Sequence, residues 1–307
     1  MLGYNDELLE RLQEYRSSAF PDCLFETKWS HVFKEEYASH NILTKPGSSE
    51  GERRQVIAGI AIKKRQTWFR SMKSSQALAQ SVFANLMVYG KVFCLVGLHG
   101  DDGEPLFIRG TANDVQCKLE FEVDYLRELQ STNVDVFFDG NYRVAVECKL
   151  SESEVGTCSR PKLDKGNPER CNGSFTFQQG RANRCSLTEI GVEYWTYVPR
   201  LFKWPADVDN AACPLADTYQ LVRNVLAACV RPSGGLGAGH AVLLYDERNP
   251  AFHEQGKGLR AWTYARNSLK DPTRLQKCSW QQLTKFLREN DRDLAWLADG
   301  LHQKYGF

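Results

Sequence analysis

No apolar run in this chain approaches the roughly 18 residues that a membrane-spanning helix needs. The first ten residues, MLGYNDELLE, are acidic and amphipathic, with neither the basic n-region nor the apolar h-region of a secretion signal. No membrane association and a cytoplasmic location are therefore the expectations. Charge of one sign is also missing: 39 basic residues stand against 38 acidic ones, so any surface for a polyanion must be a local patch. Histidine is scarce, six in 307 residues and without ligand spacing, and neither Gly-x-Ser-x-Gly nor His-Glu-x-x-His occurs, which speaks against the common serine-hydrolase and zinc-protease chemistries. The glycine-rich SGGLGAG at 233–239 has no Lys-Ser/Thr after it and reads as a connector, not a phosphate loop. No internal repeat is apparent.

What the chain does have is a stretch, Thr132 to Glu152, that carries committed chemistry. Two Val- and Phe-rich runs, Asn133 to Phe138 and Arg143 to Leu150, flank an Asp-Gly turn signal and predict a β-hairpin. Side chains alternate along a strand, so Val134, Val136 and Phe138 share one face and Val144, Val146, Cys148 and Leu150 another, while Asp135, Glu147 and Lys149 point the opposite way. If both apolar faces pack on one core, Val134 pairs with Cys148, Val136 with Val146 and Phe138 with Val144. Asp135 then lies opposite Glu147, and the loop has an odd number of residues, Gly140 to Tyr142 or slightly longer. Opposed residues on paired strands have Cβ atoms about 4.5–5.5 Å apart, close enough for two carboxylates to share a divalent cation. The plainer reading is a solvated strand face.

Upstream, residues 118–123 alternate cleanly, with Leu119, Phe121 and Val123 toward the core. Glu120 and Glu122 face the other way; if this strand pairs with 133–138, either could become a third metal ligand, and otherwise both are solvent-facing.

Asp135 followed by Glu147-Cys148-Lys149 resembles the PD-(D/E)XK motif of restriction-endonuclease-like nucleases, in the variant where an apolar residue precedes the Asp. The order of predicted elements resembles the same superfamily: a helix at 74–88, strands at 118–123, 133–138 and 143–150, a cysteine-bearing insertion, a helix at 214–229 and a strand at 241–245. The resemblance spans roughly residues 74–245 and implies an α/β fold, an αβββαβ core with a mixed central sheet. SSQALA, VECKLSE and TYQLVRN, with the spaced cysteines between them, also resemble a bacterial group of restriction-endonuclease-like proteins. The resemblance further implies Mg²⁺ or Mn²⁺ held by Asp135, Glu147 and the backbone carbonyl of Cys148, with Lys149 orienting or deprotonating a water. Gln220 would be a helper from the second helix. One departure is that no acid occurs between Lys73 and Gly100, so Gln76 is the polar candidate on the first helix.

The expected organisation is a helical extension over 1–73, a core over 74–250 with its insertion at 151–213, and a helical cover over 251–307. In the extension, residues 6–16 predict an amphipathic helix and Trp29, Phe33 and Tyr37, four apart, predict a helix core. From Arg53 to Lys73 seven basic residues occur without an acidic one, with Trp68 and Phe69 among them. Lys63, Lys64, Arg65, Arg70 and Lys73 are candidate phosphate contacts beside rings that accept bases, or else a solvated helix face. Residues 91–98 read as a buried strand. The helix from Pro214, with proline at its first position, presents Gln220, Arg223 and Asn224 as polar groups; Arg223 is a further nucleic-acid candidate. Ser279 and Gln282 form a capping box for a C-terminal helix that breaks near Asp291.

Ten cysteines are many for a reducing compartment, where clustered thiols more often bind metal than pair. Cys158, Cys171, Cys185 and Cys213 punctuate the insertion, and a zinc ion or an iron–sulfur cluster would supply the order its Gly, Pro, Ser and Asn withhold; unrelated free thiols are the alternative. The functional expectation is a metal-dependent endonuclease acting on nucleic acid, DNA before RNA, with a homodimer as the expected assembly. Its rival is a non-catalytic nucleic-acid or partner-binding module on the same scaffold, held together by structural zinc.

Overall fold

The computed structural model describes residues 3–109, 115–128 and 133–307; Met1, Leu2 and Thr132, which belong to stretches read above, lie outside them. Helix α1 (Tyr4–Ala19) and α2 (Glu50–Ile57) precede α3 (Ser75–Val88), which leads to strands β1 (Gln116–Glu122), β2 (Asn133–Asp139) and β3 (Arg143–Cys148). After these come α4 (Ser186–Glu189), α5 (Tyr194–Leu201), α6 (Tyr219–Cys229) and β4 (Gly239–Tyr245). The chain ends with α7 (Lys257–Ser268), β5 (Leu275–Ser279), α8 (Trp280–Asn290) and α9 (Ala295–Tyr305).

The strands form one mixed five-stranded sheet in the order β1-β2-β3-β4-β5. β1, β2 and β3 pair antiparallel, whereas β4 and β5 add parallel to β3. In the hairpin Val136 faces Val146 and Phe138 faces Val144, leaving Gly140, Asn141 and Tyr142 as the loop, the register that a shared apolar face requires. One cluster joins Val136, Phe138, Val144, Val146 and Cys148 to α1, α3, α8 and α9. The other face carries Phe137, Ala145 and Leu243 against α5, α6 and α7, and Val134 packs there too, beyond the last paired position of β2 and β3. α3 is apolar on nearly every side and correspondingly sunk between layers. Its buried amides are tied down through their N–H groups, Gln80 Nε2 donating to the Val56 and Ile57 carbonyls at 2.8 Å, while Gln80 Oε1 and Asn85 Oδ1 have no partner among the described residues.

Several elements differ from expectation. Residues Val92–Gly97 form a 3₁₀ turn, not a strand. Phe93 and Val96 are partly exposed while Lys91 anchors the turn to Asp291 and Asp293, so an apolar run of this length did not specify a sheet partner. Trp29, Phe33 and Tyr37 do not share a helix: Phe33 bridges Phe25, its N–H is held by the Arg70 carbonyl, and a 3₁₀ helix begins at Glu35. The helix expected from Pro214 begins at Tyr219, because the preceding residues spend their backbone groups on the insertion, Ala216 accepting from the Cys158 N–H at 2.9 Å. Strand β5 had no counterpart in the sequence reading. The Ser279–Gln282 capping box is present at the start of α8. Among the described residues no helix is long and apolar enough to cross a membrane.

Candidate active site

β1, β3 and β4 run in one direction and β2 in the other, so the end of β1, the start of β2 and the end of β3 meet at one edge of the sheet. The N-terminal turns of α3 and α6 reach the same edge through Gln76 and Gln220. Side chains delivered there have rigid backbone behind them, and helix N-termini carry partial positive charge that favours anions nearby.

Asp135 leaves β2 where the ladder to β3 stops. Its Oδ2 accepts the Cys148 N–H at 2.7 Å, so the carboxylate takes the place of the next backbone partner. Glu147, on β3, has both oxygens engaged: Oε1 lies 2.7 Å from Lys149 Nζ, and Oε2 accepts from Asn224 Nδ2 at 2.8 Å with Arg223 3.8 Å away. Lys149 Nζ also donates to Gln220 Oε1 at 3.1 Å. Its carbonyl accepts the Trp280 indole N–H at 3.0 Å, and Glu152 folds back to accept the Leu150 N–H at 2.6 Å, fixing the segment beyond the strand.

The two glutamates of β1 have separate environments. Glu120 is buried and accepts from Gln76 Nε2 at 2.6 Å, whereas Glu122 is half exposed with Lys64 3.7 Å away. Glu120 has φ 49°, in the left-handed region a non-glycine residue rarely adopts, and it is the one buried residue of its strand. Such strain persists where surrounding contacts enforce it, and functional sites are common hosts. The side chain that α3 brings is thus an amide, and the third carboxylate comes from the sheet.

Electrostatics follow from this crowding. Burial first, then the charges of Glu147 and Glu120, hold the Asp135 carboxyl well above the usual carboxylate range. Burial raises Glu120 as well, with Glu147 adding to the rise, although hydrogen bonds from Gln76 and Asn133 work against it. For Lys149 burial acts to lower the pKa, but Glu147, Glu152 and Asp135 outweigh it and the net shift is upward, so the ammonium keeps its proton. The site is a cluster of oxygen donors in which two carboxyls hold their protons more tightly than usual. Among the described residues no group of three or more His, Cys, Asp or Glu side chains already stands set to hold a metal ion.

The remaining candidates are dispersed. Arg223 is fully buried and donates to the Asn133 carbonyl at 2.9 Å, so it braces Glu147 from the interior and offers no surface contact. Lys64 donates to the Glu120 carbonyl at 2.9 Å, and Arg65 caps the Ile57 carbonyl at 2.6 Å. Arg70 pairs with Glu26, and Lys73 reaches Asn5 at 3.1 Å. Lys63 is exposed, near Trp68 in sequence, and Trp68 meets Trp29 edge-on at 5.4 Å. Cys158, Cys171, Cys185 and Cys213 all line one small cavity in the insertion.

Sequence reasoning gave no part to three residues. Asn224 holds Glu147 and lies one helical turn beyond Gln220, a spacing that could have flagged it. Glu152 bonds both the Leu150 N–H and Ser75 Oγ, the latter at 2.6 Å. Gly156 has φ 109°, and a Cβ there would stand 1.8 Å from Gln220 Oε1; nothing in the local sequence predicts that approach.

No curated protein and no solved structure matches the chain. A family model does, over residues 9–306, and its description, Restriction Endonuclease associating with ARP, points to a nuclease-like role. By that match the chain belongs to the family described as Restriction Endonuclease associating with ARP.

Proposed function

We propose that this protein is a metal-dependent nuclease that hydrolyses phosphodiester bonds, with DNA as its substrate in restriction, defence or repair. The observation that carries the reading is the convergence of Asp135, Glu147 and Lys149, with Glu120 beside them, at one edge of the sheet. Three carboxylates crowded together, two with their acid forms favoured, are a poor choice for stability alone and a fitting one for a hard cation.

Asp135 and Glu147 would hold Mg²⁺ or Mn²⁺ with the Cys148 carbonyl, and Glu120 would add charge from β1. When bound, the ion polarises the scissile phosphate and lowers the pKa of a water. The chain's own groups do the rest. Lys149, held protonated, orients the attacking water and offsets charge on the pentacoordinate transition state; taking a proton is not the role we assign it. Gln220 aims the Lys149 ammonium, and Asn224 with Arg223 fixes the Glu147 carboxylate. In the exposed part of the basic segment, Lys63 would meet backbone phosphates and Trp68 an unstacked base.

One observation favours a second reading, a binding module that does not cut: both Glu147 oxygens are already occupied. The deciding experiment incubates linear duplex and single-stranded DNA with purified protein in Mg²⁺, Mn²⁺ or EDTA, beside Lys149→Ala. Metal-dependent cutting that disappears in the variant supports the nuclease. A folded protein that binds DNA in all three conditions without cutting selects the module.

A further inference from the structure

Cys158, Cys171, Cys185 and Cys213 are spread over 56 positions, each outside the helices α4 and α5 that interrupt them, none is in a disulfide, and all four border one cavity of about 20 Å³. A space of that size takes about one water-sized occupant. The surrounding backbone is organised toward the sulfurs. The amides of Arg160, Leu187 and Leu215, each two residues beyond a cysteine, lie within hydrogen-bonding reach of the sulfurs of Cys158, Cys185 and Cys213. Burial raises the pKa of these three thiols overall; the amides oppose that rise, and donors of this kind are what a metal-bound sulfur receives from its outer shell.

An independent observation concerns polar groups left over. Among the described residues, Ser186 Oγ is buried on the cavity wall without a hydrogen-bond partner, and the buried Trp195 indole N–H has no partner other than the Cys185 sulfur. A buried donor whose one acceptor is a sulfur is better satisfied by a thiolate than by a thiol, because the charged sulfur is the stronger acceptor. Arg160 and Arg184 line the same cavity, their guanidiniums paired with Glu169 and Asp209. Among the described residues no coordinating group is preformed, so the sulfurs ring the cavity without closing on one point.

We propose that Cys158, Cys171, Cys185 and Cys213 bind a single structural Zn²⁺, which draws the four sulfurs inward and orders the insertion. Four thiolates around one dication leave two negative charges for the surrounding amides to offset. One ion matches the cavity, whereas a cluster of several iron and sulfide atoms between the same four thiolates requires more room. The site also stands behind the sheet edge: the Cys158 N–H is bonded to Ala216, and Gly156, two residues earlier, accepts the Gln220 N–H at 3.3 Å. The proposal does not depend on the nuclease reading, because its test contains no DNA.

Protein purified without a polyhistidine tag is analysed for zinc, iron and sulfide. The expected result is about one zinc per chain and no iron, with four thiols protected from alkylation until a chelator is added. Cys213→Ser and Cys171→Ser should lose the zinc and melt at lower temperature, while Cys94→Ser keeps both. Where a variant does not fold, thiol protection in the unaltered chain still decides. Folded protein with negligible zinc and all four thiols reactive overturns the proposal, as does a stoichiometric iron–sulfur cluster.

Discussion

Glu147 and Lys149, two residues apart at the end of β3, form an ion pair at 2.7 Å in which the side chains are only 3% and 10% exposed. Removing one member of a buried pair strands the other's charge, typically at a cost of about 3–5 kcal/mol. Here Arg223, 3.8 Å from the second carboxylate oxygen, keeps the cost of Lys149→Ala near the lower end. That variant should therefore melt earlier as well as lose cleavage, by about two to three orders of magnitude. Glu147→Gln with Lys149→Met removes both charges and should recover most of the melting temperature while remaining inactive. Thermal melts beside cleavage assays read the two effects apart; a Lys149→Ala protein as stable as the parent would mean that the pair contributes nothing to the fold.

The carboxyls of Asp135 and Glu120 carry upward shifts caused first by burial, which makes the metal-free protein sensitive to pH in a definite direction. A carboxyl whose folded pKa is raised binds more protons folded than unfolded. Stability is lost as pH rises from the unfolded value, about 4, through the raised folded value. In EDTA the melting temperature should accordingly carry a falling component above about pH 4, and Asp135→Asn should flatten it. Mg²⁺ competes with those protons, so its stabilisation should be larger at pH 8 than at pH 6. Equal shifts at both pH values would argue that the ion binds elsewhere.

How much of this site the sequence disclosed depends on which interactions made it. Alternation along β3 put Glu147 and Lys149 on one face, and the odd loop put Val136 opposite Val146. The expected facing of Val134 with Cys148 and of Asp135 with Glu147 is absent, because the ladder ends at Val136, Val134 packs on the other face and Asp135 bonds the Cys148 N–H instead. The edge position of Glu120 was legible as one of two glutamates, but choosing it over Glu122 required the left-handed backbone at φ 49°, which no periodicity encodes. Arg223 reads as a surface cation in a helical pattern and is interior only because Glu147 and the Asn133 carbonyl lie beneath it. The 3₁₀ turn at Val92–Gly97 was missed because a short apolar run takes its form from tertiary partners, and strand β5, Leu-Gln-Lys-Cys-Ser, because five residues of mixed polarity carry no strand signal of their own.

Gly156 offers a way to move Gln220 without touching it. Its φ of 109° disfavours any L side chain, and an added Cβ would collide with the Gln220 amide 1.8 Å away. Gly156→Ala should push Gln220 off the Lys149 ammonium and slow cleavage by roughly tenfold, about 1.4 kcal/mol in the barrier. Gln220→Ala alone should slow it similarly. Because both act through one contact, the double variant should be no slower than Gln220→Ala, a non-additivity that single-turnover rates can measure. Additive losses would assign Gly156 a separate task.

The exposed aromatic pair provides the test of how substrate is gripped. Trp68 is 52% exposed and meets Trp29 at 5.4 Å, with the Lys28 ammonium 4.8 Å from the Trp29 ring. A base stacked on such a ring is worth about 1–3 kcal/mol, and each lysine that neutralises a phosphate adds about one to the salt dependence of binding. Trp68→Ala should then weaken single-stranded DNA binding by roughly 5- to 150-fold with the salt slope unchanged. Lys63→Ala should instead lower the slope by about one and weaken all sequences alike. Binding titrations across a salt series in EDTA separate the two effects from catalysis. If Trp68→Ala leaves single-strand affinity intact while duplex affinity also holds, the tryptophans serve the fold of the basic segment, and the substrate path lies on another face of the sheet edge.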